Sequence, residues 1–270
     1  MIDMKKLADI SSRRQLFKAV AAVAATVPFL GWSRKSAHAA LAQGGAGGTK
    51  QKQGSGNPPC LLKGTRVSTP AGERAVEDLQ IGDEVLTLSG PKPVKWIGYD
   101  KYTKDDDRPW QAGVMPIRVV RSAIADQAPH RDLYLSPAHR VFINGVLIPV
   151  KYLVNGTTIT PAAPEGIAAI EYYHVEFHTH EVVLAEGAPV ESFREDASER
   201  EFFANFVEYE RLYGRDQARM TPFAPLLDYR NRRQKLAGLT RSIVSSLVDV
   251  RDPIQAARDQ LARRAKALPV

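Results

Sequence analysis

The 270-residue sequence contains a single cysteine, Cys60, and has no long hydrophobic run. One cysteine cannot form an internal disulfide bond. The most apolar stretch, residues 19–30, is short and rich in alanine, whereas a helix that crosses a bilayer needs about 20 predominantly apolar residues. We therefore expect neither an internal disulfide bond nor a transmembrane helix in the mature protein.

Two adjacent arginines, Arg13 and Arg14, precede this short apolar stretch. The pair is close to a twin-arginine export signal, although the following Leu and Phe stand in the reverse of the usual order. The segment Ala37–Ala39 has the small-x-small form that signal peptidase cleaves. We expect residues 1–39 to be a twin-arginine signal peptide and the mature bacterial protein to be periplasmic or secreted. The alternative is a basic amphipathic helix lying on a membrane surface.

Residues 40–59 are dominated by Gly, Gln, Ala and Pro. Such a segment cannot bury enough apolar surface to offset the entropy lost on ordering. We expect a disordered linker that ends where the folded unit begins, at Cys60.

Short strand signals separated by Gly, Pro or Asn fill residues 60–195. Asn144-Gly145 stands between two apolar runs and indicates a two-residue hairpin, because both residues tolerate positive φ. The pattern predicts a mainly β, antiparallel domain of the sandwich or barrel kind. The expected strands are Val67–Thr69, Glu84–Leu88, Val94–Ile97, Ile117–Val120, Leu133–Leu135, Val141–Ile143, Val146–Val150 and Thr157–Thr160.

Helical periodicity replaces the strand pattern in residues 196–270, which we expect to form a helical C-terminal extension. A first stripe runs from Phe202 to Gly214, a second covers residues 236–247, and Asp252-Pro253 is typical of the start of a third helix running to about Leu268.

The helical extension also carries much of the excess positive charge. Its arginines form either a solvated polar face or a contact surface for an anionic surface or a protein partner. We expect no nucleic-acid partner, because the sequence shows no recognisable nucleic-acid-binding fold. The arginines concerned are Arg230, Arg232, Arg233, Arg263 and Arg264.

Cys60 stands at the start of the folded unit, and Ser136 and His139 follow in the sequence Ser-Pro-Ala-His. A cysteine in that position can attack the carbonyl of Pro59, provided that a histidine protonates the departing amide nitrogen. The simpler alternatives are that Cys60 is a packing residue and that the Ser-Pro pair and His139 only shape a turn.

Five blocks in this order resemble the Hint domain, the self-processing module of hedgehog proteins and inteins, and most closely its bacterial hedgehog-type branch. The blocks are Cys60 with Gly64-Thr65, then Glu77–Thr87, Trp96–Gly98, Leu133–Val141, and Tyr173–Glu176 with His180 and Ala185–Gly187.

The resemblance implies a flattened, horseshoe-shaped β fold and autoproteolysis without a cofactor. In such domains the cysteine, here Cys60, attacks the preceding carbonyl, here that of Pro59, in an N-to-S acyl shift. The histidine matched by His139 assists this shift, and the hydroxyl residue matched by Ser136 supports the same bond. His180 matches a histidine near the end of many inteins. The substrate would be the protein's own N-terminal segment.

The sequence departs from the family at several positions. Pro59 replaces the glycine of hedgehog proteins, and its ring should hinder the distortion that the acyl shift requires. Lys151 or Tyr152 stands where hedgehog proteins carry a sterol-activating aspartate, so we do not expect sterol transfer. Residues 185–193 lack the His-Asn ending that inteins cyclise, which argues against splicing. The segment preceding Cys60 is too short to fold by itself.

A metal-binding β protein is one alternative function. Alternation along residues 172–180 places His174, Glu176, His178 and His180 on one strand face, where the histidines could bind zinc or copper. The same pattern also fits a solvated polar face. A further alternative is a catalytically inert Hint scaffold that acts as a periplasmic or extracellular binding module.

Overall fold

The computed structural model describes residues 58–104, 109–111, 113–195, 199–215, 219–227 and 252–268. The predicted signal peptide, with Arg13 and Arg14, and the predicted helix at residues 236–247 lie outside these ranges, as does nearly all of the linker.

The first sheet has six strands, all paired antiparallel, in the order β11-β7-β8-β1-β12-β6. Its longest ladder joins β6 to β12, which are paired along their whole length. The strands are β1 (Leu61–Leu62), β6 (Trp96–Thr103), β7 (Ile117–Val119), β8 (Leu133–Leu135), β11 (Ile159–Pro161) and β12 (Ala169–Glu176).

The second sheet has eight strands, also antiparallel. Six follow the order β10-β9-β14-β13-β2-β3, while β4 pairs with β13 and carries β5. The strands are β2 (Arg66–Thr69), β3 (Gly72–Ala75), β4 (Glu84–Thr87), β5 (Gly90–Pro93), β9 (Arg140–Ile143), β10 (Val146–Pro149), β13 (Val182–Ala185) and β14 (Ala188–Glu191). The prediction of a mainly antiparallel β fold is confirmed.

The hairpin predicted at Asn144-Gly145 is confirmed, since Val146 pairs with Ile143 and the two turn residues have φ of 52° and 81°. The predicted strand at residues 157–160 starts later than expected, at Ile159. The reason is that the side-chain oxygen of Asn155 accepts hydrogen bonds from the main-chain N–H groups of Thr157, Thr158 and Ile159, and so forms a turn.

Two α-helices follow the sheets in the described part of the chain. Helix α1 (Phe206–Tyr213) is preceded by a 3₁₀ turn, Glu199–Phe202, and ends at Gly214, as predicted. Helix α2 (Pro253–Ala267) begins after Asp252, whose side chain accepts from the N–H of Ile254 at 3.2 Å, so the predicted cap is confirmed. None of the described helices is long and apolar enough to cross a membrane.

Helix α2 packs onto the β domain. Its residues Ile254 and Leu261 are buried in the main hydrophobic core. Arg258 donates to the main-chain oxygen of Tyr152, and Arg264 forms an ion pair with Asp126. Part of the positive charge on this helix therefore stabilises the fold itself.

Candidate functional site

Cys60 lies immediately before β1, between β8 and β12. Leu61 pairs with Leu135 on one side and with Tyr173 on the other. Because the strands are antiparallel, the same register continued by one residue places Ser136 and His174 on either side of Cys60. Directly opposite residues project from the same face of a sheet, so the three side chains share one face.

Ser136 is hydrogen-bonded to the main chain on both sides of the Pro59–Cys60 peptide bond. Its hydroxyl oxygen accepts from the N–H of Cys60 at 2.8 Å, and its O–H donates to the carbonyl of Pro58 at 3.1 Å. Its own N–H donates to the carbonyl of Cys60 at 2.9 Å. Ser136 thus fixes the main chain on which chemistry at Cys60 would take place.

His139 belongs to the same constellation, because its N–H donates to the carbonyl of Ser136 at 3.0 Å in a tight turn. The residue is fully buried, and neither ring nitrogen has a hydrogen-bond partner among the residues that the structure describes. Burial, and then the charge of Arg140, lowers the pKa of His139 to about 3, although the main chain of Glu191 and Cys60 opposes the shift. The imidazole is therefore neutral near pH 7 and can accept a proton.

The side chain of Cys60 is buried, and the residue is only 1% exposed. Burial, followed by the negative charges of Asp100 and Glu199, raises the pKa of the thiol well above its usual value. Desolvation thus favours a neutral thiol beside a neutral imidazole in the resting protein, and disfavours a thiolate–imidazolium pair.

His174 also lies in the candidate site, although the sequence indicated it only as a weak metal candidate. Its ring centroid lies 5.1 Å from that of His139 and 5.4 Å from that of Phe193. Burial, followed by His139 and His180, lowers its pKa well below the usual value. The sequence did place His174 on a defined face of its strand by alternation. That face can be assigned to Cys60 only when the pairing of β12 with β1 is known.

His180 occupies a neighbouring buried position but has different partners. Its Nδ1 accepts from the N–H of Phe223 at 3.1 Å, and its Nε2 lies 3.8 Å from a carboxylate oxygen of Glu191. Burial, followed by Arg194 and Arg140, lowers the pKa of His180 to about 3. These contacts fit a supporting position more readily than direct contact with the Pro59–Cys60 bond.

The four residues considered as a metal-binding patch are not gathered into one site. The strand ends at Glu176, and His178 beyond it is exposed. Glu176 is buried and forms ion pairs with Lys95 and Arg200, both at 2.8 Å. The expectation of a solvated polar face is also wrong, because His174 and Glu176 are buried.

The segment 199–213 covers the face that carries Cys60 and His174. Phe203 sits directly over Gly98, where a Cβ atom would lie only 2.7 Å from its ring. Trp96 contacts Phe203 and Tyr209 with ring centroids 5.5 and 5.1 Å apart. Helical periodicity indicated an apolar stripe in this segment but not the surface it covers. Of that stripe, Phe203 and Tyr209 are buried, whereas Val207 is exposed.

Lys151 lies beside the turn that carries Ser136 and His139. Its N–H donates to the carbonyl of Pro137 at 3.2 Å, and its ammonium group lies 5.2 Å from the ring centroid of Tyr152. The residues that follow this turn in the fold are therefore a lysine and a tyrosine, and neither is acidic.

Comparison with known proteins gives one family. A family model described as "Hint domain" matches residues 59–197. A search of curated proteins found no significant match.

Among solved structures, the chain is similar to the gp41-1 intein, with 15% identity and a TM-score of 0.35 over 50% of this chain and 98% of that one. It is similar to the MchDnaB-1 intein with 20% identity and a TM-score of 0.33, over 48% of this chain and 98% of that one. It is also similar to a bacterial intein-like domain from Clostridium thermocellum, with 10% identity and a TM-score of 0.29 over 50% of this chain and 98% of that one.

Proposed function

This chain belongs to the Hint domain family, and from that premise we propose that it is an autoproteolytic protein that breaks its own Pro59–Cys60 peptide bond. The observation that carries the proposal is the position of Ser136, whose hydroxyl accepts the N–H of Cys60 at 2.8 Å and donates to Pro58. The order of the sequence blocks supports placing the domain in the hedgehog-type branch.

The first step is an N-to-S acyl shift. The sulfur of Cys60 bonds to the carbonyl carbon of Pro59, and the bond from that carbon to the Cys60 nitrogen breaks. The thiol proton leaves the sulfur and finally resides on the departing nitrogen. The products are a thioester and a free amine, and the atoms and charges balance without a cofactor.

His139 is the proposed proton carrier. A neutral imidazole can take the thiol proton and return it to the nitrogen, so one residue serves as base and then as acid. The lowered pKa of His139 keeps the imidazole neutral and therefore available as a base, but it makes uptake of the thiol proton unfavourable and its return to the nitrogen favourable, so the protonated intermediate is short-lived. The ring of His174 packs beside that of His139 and would hold it in position.

Water then resolves the thioester. Its hydroxyl adds to the Pro59 carbonyl and its proton goes to the sulfur, which leaves a segment ending in the Pro59 carboxyl group and a domain beginning with Cys60. Sterol transfer is not proposed, because Lys151 or Tyr152 stands where the hedgehog aspartate would be. Splicing is not proposed either, because the His-Asn ending is missing.

Export supplies the proposed setting. Arg13 and Arg14 support a twin-arginine signal, and the mature protein would act in the periplasm or outside the cell. Replacing both arginines with lysine should leave the precursor in the cytoplasm. Normal export of that variant would contradict this part of the proposal, and immunoblots of cell fractions give the answer.

One observation favours a second candidate function, that of a catalytically inert binding module. Cys60 is 1% exposed under the segment 199–213, and its surroundings oppose ionisation. A Hint fold that has lost cleavage could still bind a partner, for example through exposed cations such as Arg263 of helix α2.

Intact mass spectrometry of the purified full chain, with and without dithiothreitol, separates the two functions. Cleavage predicts a fragment that begins at Cys60 and accumulates faster with the thiol, because dithiothreitol captures the thioester. The Cys60→Ala variant should stay intact. A wild-type protein that remains intact for days with dithiothreitol would contradict autoproteolysis and support the inert module.

A further inference from the structure

Three side chains from separate parts of the chain meet at the edge of the second sheet. Glu73 lies in β3, His130 precedes β8, and Glu186 lies in the turn between β13 and β14. The Nε2 atom of His130 is 3.2 Å from a carboxylate oxygen of Glu73 and 3.2 Å from one of Glu186. In the described part of the chain, these residues are the group whose donor atoms could hold a metal ion, all lying within 4.8 Å of one another.

The main chain holds this group in place. The N–H of His130 donates to the carbonyl of Glu186 at 2.8 Å, and the N–H of Glu186 donates to the carbonyl of Arg66 at 2.7 Å. Gly187 follows with φ of 78°, and a Cβ atom there would lie 3.1 Å from Nδ1 of His130. The turn therefore holds the imidazole of His130 in a fixed position against the main chain in the absence of an ion.

The charges of the group favour a cation between the two carboxylates. The side chain of Glu186 is only 5% exposed, and one of its oxygens accepts from the N–H of Arg66 at 2.7 Å. The other oxygen faces His130 and also accepts from Arg131 at 3.0 Å. Arg131 is 52% exposed, so it can swing into solvent at little cost.

From this geometry we propose that Glu73, His130 and Glu186 form a Zn²⁺ site with a fourth position for water. Zinc binds imidazole nitrogen at about 2.0–2.1 Å and carboxylate oxygen at about 2.0–2.2 Å in a tetrahedron, which sets neighbouring donor atoms about 3.3 Å apart. The two separations measured from Nε2 of His130, both 3.2 Å, match that edge. Magnesium and calcium prefer shells made of oxygen alone, so the imidazole favours zinc.

The zinc ion would join the β2–β3 hairpin, the β13–β14 turn and the segment that leads through β8 to Ser136. Its expected effect is on stability, because an ion that binds only the folded state shifts unfolding by mass action. The proposal does not depend on autoproteolysis, and it can be tested in a protein that does not cleave.

The test uses the full chain carrying Cys60→Ala, so that the thiol cannot bind the metal. Isothermal titration with ZnCl₂ at pH 7.5 should give one Zn²⁺ per chain. Thermal unfolding in the presence of ZnCl₂ should occur at a higher temperature than without it. Glu73→Gln and His130→Gln should each weaken zinc binding by at least about tenfold, since even substitution of a residue that only hydrogen-bonds to a metal ligand typically reduces affinity by that factor. Arg131→Gln should strengthen binding, because it removes a competing cation from Glu186.

The matched control is His178→Gln, which changes an exposed histidine outside the group and should bind zinc normally. Co²⁺ in place of Zn²⁺ should give visible absorption bands of tetrahedral type that disappear in His130→Gln. Unchanged affinity in both Glu73→Gln and His130→Gln would place any bound zinc elsewhere. The absence of binding up to millimolar zinc, in the parent and in Arg131→Gln, would show that the group is only an ion-pair network.

Discussion

The hydroxyl of Ser136 holds the main-chain N–H of Cys60 at 2.8 Å, although the two residues are 76 positions apart in the chain. The pairing of Leu61 with Leu135 produces this contact, since it sets β8 against β1 in a fixed register. The contact ties Ser136 to the bond that the proposed reaction breaks, and it makes the roles of the neighbouring residues open to experiment.

Removing the hydroxyl of Ser136 should slow cleavage and spare the fold. Ser136→Ala leaves the N–H of Cys60 buried without its partner, so the thiol-induced rate should fall by about tenfold or more, which is what 1.4 kcal/mol of barrier implies. Ser136→Thr keeps a hydroxyl and should restore part of the rate. The rates are followed by gel or mass spectrometry, and equal rates for wild type and Ser136→Ala would contradict the assignment.

His139 and His174 should differ in the size of their effects. His139→Ala removes the proposed proton carrier, and a loss of about 10²–10⁴-fold in cleavage rate is expected for general acid–base catalysis. His174→Gln removes only a packing neighbour of that ring, so a smaller loss is expected. The reverse order of the two effects, measured with dithiothreitol, would make His174 the proton carrier instead.

Pro59 should limit the rate of the acyl shift. Its ring restricts the twisting that the neighbouring carbonyl needs, so Pro59→Gly should accelerate cleavage, by about tenfold for each 1.4 kcal/mol of barrier removed. Pro58→Gly is the control, because it keeps the carbonyl to which Ser136 donates. Equal rates in Pro59→Gly and wild type would show that the proline is no obstacle, and the absence of cleavage in Pro59→Gly would indicate that the site is inactive.

Acid should destabilise the protein more steeply than carboxylate protonation alone explains. The pKa values of His139 and His180 are lowered to about 3 and that of His174 is also lowered, so below about pH 6.5 the unfolded chain binds protons that the folded chain does not. Each histidine then adds a slope of about 1.4 kcal/mol per pH unit, with stability falling as pH falls. The raised pKa of Glu191 opposes this trend.

Urea unfolding of the Cys60→Ala protein between pH 7 and pH 5 measures this slope. His180→Gln should reduce it by the share of one histidine, whereas His178→Gln, which changes an exposed side chain, should leave the slope unchanged. A free energy of unfolding that stays constant over this range would contradict the buried, neutral state of the histidines.

Adding one methyl group at Gly98 should displace the segment 199–213 that covers Cys60. Gly98→Ala would place a Cβ atom 2.7 Å from the ring of Phe203. We expect the free energy of unfolding to fall by about 1–3 kcal/mol and Cys60 to react faster with a thiol reagent. Adding Phe203→Ala should remove the clash, so the two changes should be non-additive in a double-mutant cycle. Strict additivity would mean that Phe203 does not rest on Gly98.

Local sequence patterns determined much of the architecture. Strand length, alternation and the Asn144-Gly145 turn gave the antiparallel β character, and Asp252-Pro253 gave the start of helix α2, because these signals depend on residues close together in the chain. The strand at residues 94–97 was predicted too short, since β6 continues through polar residues to Thr103. That extension is stabilised by its ladder with β12, a contact that no local pattern contains.

The sequence by itself determined the residue types of the proposed reaction: one cysteine after a proline, and a serine and a histidine three positions apart. Only the tertiary structure decided that Ser136 meets Cys60, that His174 joins His139, and that Glu73, His130 and Glu186 converge. Strand register and the covering segment 199–213 set these relationships. Both arise from contacts between distant parts of the chain, and burial created by the same contacts moves the pKa values that govern the chemistry.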